Sequence, residues 1–582
     1  MLKECLEVFK ERLEETEGKL VLHTYIPADG TYLLVGRDGT IKANVDIIKD
    51  KKTKEVDRSH PEFLRICFYD YQSQLISMNK PVDPKKVIHS NNYFAFFVKK
   101  DSLNTGKLTE AVIDRYYEIL KNPMENKYCK SKEAARIYQL FESEAGAVSV
   151  EKVERNKSWI KENIFCLENA DLKRKDYLKI FFEADEQEYQ REARRYLLPN
   201  IYNSNNYNIE LAGTTYGMPD NNLGMNAKKP LLSIKSRKFP APYILNSEDV
   251  VLQKQFFDYL MNLVSGGKYH IYIDTTENTI EGYRNGETPE RVESGYYLRL
   301  KKGKTEAEIW DQDNIVHYRN RLVPEFYFKN ILGTSFKKHP EYEKYGAYYD
   351  HSALGRLIDE VVFMNFLINN YTTDACEIKI KDETLKKMIL LSRDTIFDWI
   401  SKDTDHGFYR MFRYVCLEMM KSCALKNYME RVWWQFNLLY SLKEYFSKEK
   451  GENMGEIVSE LRKRVKTKVF SDGVVPIEND EEYYYCAGQL ARYLLSLSKA
   501  KDNKQSLLNP ILNAKTDEAI KTRLMQMYKK YNYTISAGQR KFNNLLGMVE
   551  GYVPAADKGV DQEKILLGYV DNNVIYTSKE EE

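Results

Sequence analysis

"FYRMFRYVCLEMMKSCAL", residues 408–425, returns apolar side chains every three to four positions, with charged ones between them. That is the period of an α-helix with one face turned to a core. The same stripe runs through "LGRLIDEVVFMNFLI" (354–368), "LKKMILLSRDTIFDWI" (385–400) and "ERVWWQFNLLYSLKEYF" (430–446). It resumes after "SKEKGEN" (447–453): in "YYYCAGQLARYLLSL" (483–497), Ala487, Leu490, Leu494 and Leu497 share one face. From about residue 351 onward the chain therefore reads as helical.

Before 350 the pattern is mixed. "TYLLVGRDGTIKANVDII" (31–48) gives two β-rich runs around Gly36-Arg37-Asp38-Gly39, a hairpin signal. "VIHSNNYFAFFVKK" (87–100) reads as a buried strand that follows a polar turn. Helical periodicity dominates 107–198, as in "TEAVIDRYYEIL" and "YQREARRYLL". A helix is expected at 248–264. "KYHIYIDTTENTI" and "GYYLRLKKGKTEAEIW" then alternate as strands do, with turns at Gly266-Gly267 and Gly303. The expected class is α+β: a mixed α/β N-terminal region (1–350), a helical connecting region (351–453) and a C-terminal α-helical bundle (454–582).

The chain's 582 residues are too many for one hydrophobic core, so two to four domains are expected. Hydrophobic residues make up 43% and charged residues 30%, the balance of a globular protein rather than a disordered one. With 88 cations against 86 acids the net charge is only +2, so any binding to a polyanion must be local. Eight scattered cysteines without a Cys-x-x-Cys pair give neither a zinc ribbon nor a disulfide framework. The start, "MLKECLEVFKERLEE", lacks the apolar core of a signal peptide, and no apolar run reaches membrane-spanning length; a cytoplasmic protein is expected.

Local positive charge is present. "GMPDNNLGMNAKKPLLSIKSRKFPAP" (217–242) carries Lys228, Lys229, Lys235, Arg237 and Lys238 against one acid, Asp220, and lies in a stretch (199–242) without regular period. Lysine and arginine hold phosphates, and the amides of Asn221, Asn222 and Asn226 suit base edges. Forty-four tyrosines among abundant Lys, Asn and Ile match AT-rich coding, which by itself would enrich a solvated loop in Asn and Lys. On composition alone the two readings balance.

Catalytic signals are weaker. "VSGGKYH" (264–270) has the Gly-Lys pair of a P-loop but neither its first glycine nor its hydroxyl. No His-Glu-x-x-His motif occurs. Asp374, Glu377 and Lys379 in "TTDACEIKIKD" could hold Mg²⁺ for hydrolysis, but alternating charge between helices explains them as well. No cofactor is expected. Trp433-Trp434 and Tyr483-Tyr484-Tyr485 could stack bases, although adjacent aromatics on a helix point apart and send at least one ring of each set into the core.

Several linear stretches resemble one family. "IPADGTYLLV" (26–35), "IHSNNYFAFFVKK" (88–100), "RYLLPNIYNSNNYN" (195–208), "GMPDNNLGMNAKKPLLSIKSRKFPAPYIL" (217–245) and "FFDYLMNL" (256–263) resemble the large subunit of type I-B CRISPR Cascade surveillance complexes. "YYYCAGQLARYLLSLSKAKDNKQSLLNPIL" (483–512) and "FNNLLGMVEGYVP" (542–554) are similar to that family's small-subunit-like helical end. The resemblance implies a non-enzymatic subunit. Its partners would be a CRISPR RNA, target double-stranded DNA, the backbone, 5′-handle-binding and small subunits, and a helicase-nuclease recruited on target binding. Such a subunit would read a protospacer-adjacent motif and help open the duplex. A stand-alone Mg²⁺-dependent nuclease and a purely structural scaffold are the alternative readings.

Three further expectations follow. Lys85, Lys86, Asn91 and Asn92 form a second nucleic-acid candidate at the mouth of a strand. Arg462, Lys463, Arg464, Lys466 and Lys468 form a basic stripe able to hold a displaced strand. Met454, after a Lys-Gly-Glu codon context that can encode a ribosome-binding site, is a candidate internal translation start for a separate small subunit.

Overall fold

The computed structural model describes residues 1–51, 53, 55–167, 174–220, 223, 243–303, 306–447, 453–498, 507–555 and 559–578. The chain divides into two units. The first comprises 1–284 and 292–317, the second 285–291 and 318–582.

In the first unit, β1 (Gly30–Val35), β2 (Ile41–Ile47), β3 (Ala95–Lys99) and β4 (Tyr177–Phe182) form a sheet ordered β2-β1-β4-β3. The β1–β2 hairpin forms as the sequence predicts, closed by Gly36 N–H donating to the Thr40 carbonyl at 2.8 Å. Gly39, at φ +84°, takes the left-handed turn position that favours glycine. β4 falls inside the run whose period reads as helical. It is parallel to β1 and antiparallel to β3, which makes it central. A central strand buried on both faces reads "YLKIFF", a nearly continuous apolar run whose periodicity cannot separate strand from helix. Tyr32, Leu33, Phe96, Ile180 and Phe181, all 0% exposed, centre the core around this sheet.

Three short strands follow, β5 (Ile209–Leu211), β6 (Thr214–Gly217) and β7 (Leu245–Asn246), in and beside the stretch where the sequence shows no regular period. The expected helix spans Ser247–Ser265, capped by Asn246, whose side chain accepts from Asp249 N–H at 2.8 Å. β8 (His270–Asp274), β9 (Thr279–Tyr283), β10 (Arg291–Lys302) and β11 (Ala307–Arg319) form a second sheet ordered β11-β10-β8-β9. Ile271, Ile273, Leu298 and Leu300 from it join Phe9, Phe256 and Leu260 from two helices in a second apolar cluster.

The second unit is mostly helical, as expected, but its beginning corrects the boundary at 350. β12 (Arg321–Phe328) and β13 (Gly346–Asp350) pair with each other and belong with the helices. Phe326 meets Tyr445 edge-on at 5.8 Å, and the buried Ser441 and Asn437 accept from Lys329 N–H (3.0 Å) and Leu332 N–H (2.9 Å). Nor does the bundle after 454 stand apart from 351–453. Glu563 pairs with Arg413 at 2.8 Å, and Trp433 Nε1–H donates to the Val570 carbonyl at 2.7 Å. Trp434 and Tyr483–Tyr485 are buried, so the aromatic runs serve the core. Among the described residues no helix is long and apolar enough to cross a membrane.

Candidate nucleic-acid interface

Asn221, Asn222, Asn226, Lys228, Lys229, Lys235, Arg237 and Lys238 lie outside the described residues. The frame on either side of them is described. β6 pairs antiparallel with β7, Gly217 opposite Leu245, so the residues that open and follow the basic stretch lie side by side. The Tyr202 hydroxyl lies 3.0 Å from the Thr215 carbonyl and 3.2 Å from the Leu245 carbonyl, bridging both strands with one proton. A Cβ on Gly217 would come within 2.5 Å of that ring, so the position requires glycine for the close approach.

A partly buried ion pair fixes the first end. Lys80 Nζ donates to the carbonyls of Asn200 (2.7 Å) and Tyr202 (2.6 Å) and to Asp220 Oδ2 (2.7 Å). All three ammonium protons are used. Asp220, the one acid of the basic stretch, is 3% exposed, and Leu223 enters the apolar core. Asp220 thus anchors the stretch rather than balancing its charge.

The second candidate surface is corrected. Asn91 Nδ2 donates to the carbonyls of Gln72 (3.0 Å) and Gln74 (2.7 Å). Asn92 donates to Ser73 Oγ (3.0 Å) and Asn91 Oδ1 (2.8 Å) and accepts from Phe94 N–H (2.9 Å). Both are buried and spent on the turn before β3, so neither offers an amide to a nucleotide. Lys85 and Lys86 do remain exposed. Asp83 shapes their turn by accepting from Lys85, Val87 and Ile88 N–H.

The stripe on the helix Met454–Val469 is partly corrected and partly extended. Arg462 forks onto Asp571 at 2.6 and 2.8 Å and donates to the Leu332 carbonyl at 2.9 Å. Lys468, 7% exposed, lies between Glu482 (2.8 Å) and Glu478 (3.1 Å). These two cations hold the bundle together and are not free for phosphates. Arg464 is half-buried, Lys463 is exposed and Lys466 is half-buried.

The fold supplies what the helix loses. Lys541 lies close enough to Arg540 and Lys466 that their charges, after the larger effect of burial, lower its pKa. Lys541 Nζ sits 4.0 Å over the Phe470 ring and donates to the Thr577 carbonyl at 2.7 Å. Among the described residues Arg540 pairs with the fully exposed Asp472 at 2.7 Å, and such surface pairs contribute little. Arg540 and Lys541, some seventy residues from the stripe, escape a sequence reading because "GQRKF" carries no periodic signal of its own.

The hydrolytic triplet gains little from the structure. Asp374 and Glu377 lie on one turn, with Glu377 N–H donating to the Asp374 carbonyl at 2.8 Å, and Glu377 and Lys379 are exposed. Among the described residues no three His, Cys, Asp or Glu side chains gather as a metal ion would need. Comparison with protein families, curated proteins and solved structures gives no match to this chain.

Proposed function

We propose that the chain is the non-catalytic large subunit of a type I-B CRISPR Cascade complex, acting in the cytoplasm on double-stranded DNA. It would read a protospacer-adjacent motif, assist opening of the duplex and help recruit the helicase-nuclease. The likeness of the stretches between 26 and 263, and of 483–512 and 542–554, supports the subunit assignment. In this reading Asn221, Asn222 and Asn226 are the candidate base readers, and the lysines and arginine that follow them hold phosphates.

The observation that carries the nucleic-acid role is the nearness of Lys466, on the helix Met454–Val469, to Arg540 and Lys541, neighbours at the start of the helix Arg540–Gly551. A local group of cations draws a polyanion to its surface and is stabilised when one binds. Neutralising the group with Lys463 (Lys463→Gln, Lys466→Gln, Arg540→Gln, Lys541→Gln) in the assembled complex is expected to weaken DNA binding for all sequences alike. The slope of log affinity against log salt should become shallower by about 0.7–0.9 for each phosphate no longer neutralised. An unchanged slope would remove this face from the interface.

Met454 is the proposed internal start. It is the first residue of its helix, and the Asn453 side chain caps that helix from outside. Met525 and Met527 lie inside the helix Asp517–Tyr531 and would begin a broken element. Expression is expected to yield a second product spanning 129 of the 582 residues, about 15 kDa of the 68.5 kDa chain. In the parent chain Glu563 is paired with Arg413, and Arg462 bonds the Leu332 carbonyl. A free copy must find other partners for these groups, which favours its assembly along the complex. Intact-mass measurement decides: persistence of the product after Met454 is made non-initiating shows another start, and its complete absence refutes internal initiation here.

A further inference from the structure

A cavity of about 20 Å³ lies in the first unit, lined by the Asn91–Tyr93 turn, Ile119, Pro123, Lys127 and the helix Glu186–Asn200. It has room for one small molecule. Two polar groups in its wall lack the partners they can use. Tyr93 is 1% exposed, and among the described residues its hydroxyl has no hydrogen-bond partner. Among the described residues Lys127 Nζ donates to the Pro81 carbonyl at 2.5 Å and otherwise faces rings, Tyr196 at 5.3 Å and Tyr128 at 5.9 Å.

The other charged groups are already committed. Arg195 Nε donates to Glu192 Oε2 at 2.8 Å, and Lys80 is held by Asp220, Asn200 and Tyr202. An ammonium at Lys127 would therefore stand beside the Lys80 charge with a single acceptor. Burial first, and Lys80 second, push the Lys127 pKa down to about 7. Tyr93, Tyr128 and Tyr196 stay neutral, because burial raises their pKa values. The surroundings thus favour an uncharged amine with a usable lone pair, and the Lys80 charge would attract an anion formed in its place, against the same burial and the Glu192 carboxylate in the wall.

We propose that Lys127 is a carbamylation site: its unprotonated amine adds to carbon dioxide, and one carbamate oxygen accepts from the unpartnered Tyr93 hydroxyl. The nitrogen lone pair forms the N–C bond, one C=O π pair moves onto oxygen, and the nitrogen releases one proton to solvent. No oxidant or further reactant is needed. The product carries a negative charge beside Lys80, which replaces a like-charge neighbour with an attractive one, while Arg195 offsets the Glu192 carboxylate of the same wall. The modified residue lies next to Lys80, the clamp at the first end of the basic stretch.

The full chain, incubated with ¹³C-bicarbonate at neutral pH and trapped with triethyloxonium, is expected to carry a ¹³C-ethoxycarbonyl group on Lys127. Lys127→Arg should abolish that label. Tyr93→Phe should lower it several-fold while the chain stays folded, because the hydroxyl has no native bond to lose. Label confined to the α-amino group or to surface lysines overturns the proposal. So does a structure obtained under bicarbonate in which a water alone bridges Lys127 and Tyr93, or a Tyr93→Phe variant that labels as fully as the parent.

Discussion

Gly488→Ala is expected to destabilise the second unit by about 3 kcal/mol, the upper end of the range for overpacking. A Cβ there would come 2.0 Å from the Ile565 carbonyl oxygen and 2.7 Å from Tyr569 N. The partner position mirrors it: a Cβ on Gly568 would lie 2.0 Å from the Tyr485 carbonyl oxygen. Both obstacles are backbone, so no side chain can rotate out of the way. The helices Asp480–Ser496 and Gln562–Val570 would have to separate. Separation strains the bonds of the buried Gln489, which donates to the Gly568 carbonyl at 2.6 Å and accepts from Val574 N–H at 2.8 Å. Alanine favours a helix over glycine by about 1 kcal/mol, so propensity alone predicts the opposite sign. The clash wins because 2.0 Å is far inside van der Waals distance. Gly551→Ala is the control, since nothing lies within 4 Å of its Cβ position; it should stay within about 0.5 kcal/mol of the parent. If Gly488→Ala unfolds in denaturant with the parent's midpoint, the close helix crossing is wrong.

What can be read from the sequence follows from what periodicity can carry. The helices beyond 350 are legible because each buries one face, and the β1–β2 hairpin because its turn needs glycine. β4 is not, since a strand buried on both sides loses its alternation. The crossing at Gly488 and Gly568 leaves no local trace either; a glycine inside a helix reads as a weakness until the backbone that approaches it is known. The basic groups mislead in a related way. Arg462 and Lys468 look solvated beside Lys463 and Lys466, and only Asp571 and Glu482, far along the chain or on another helix, show them to be structural. Arg540 and Lys541 join the surface through the same long-range packing. Asn91 and Asn92 read as surface amides because polar pairs usually mark exposed turns, whereas here they satisfy a buried one.

The first unit contains the other large effect. Lys179→Met is expected to cost about 3–5 kcal/mol, typical of removing one partner from a buried ion pair. Lys179 lies on the central strand β4 and donates to Asp70 Oδ1 at 2.5 Å; Tyr25 donates its hydroxyl to Asp70 Oδ2 at 2.8 Å. Asp70 is 0% exposed and Lys179 5%. The ammonium also faces the Phe97 ring at 4.7 Å and the Tyr32 ring at 5.2 Å, so its surroundings are otherwise apolar. Methionine fills the volume but leaves a carboxylate with no cation, and that unpaired charge sets the cost. One consequence separates this account from simple loss of packing. Asp70→Asn added to Lys179→Met removes the charge while keeping an acceptor for Tyr25, so the double variant should recover much of the stability. A double variant no more stable than Lys179→Met would show that Lys179 acts through packing alone.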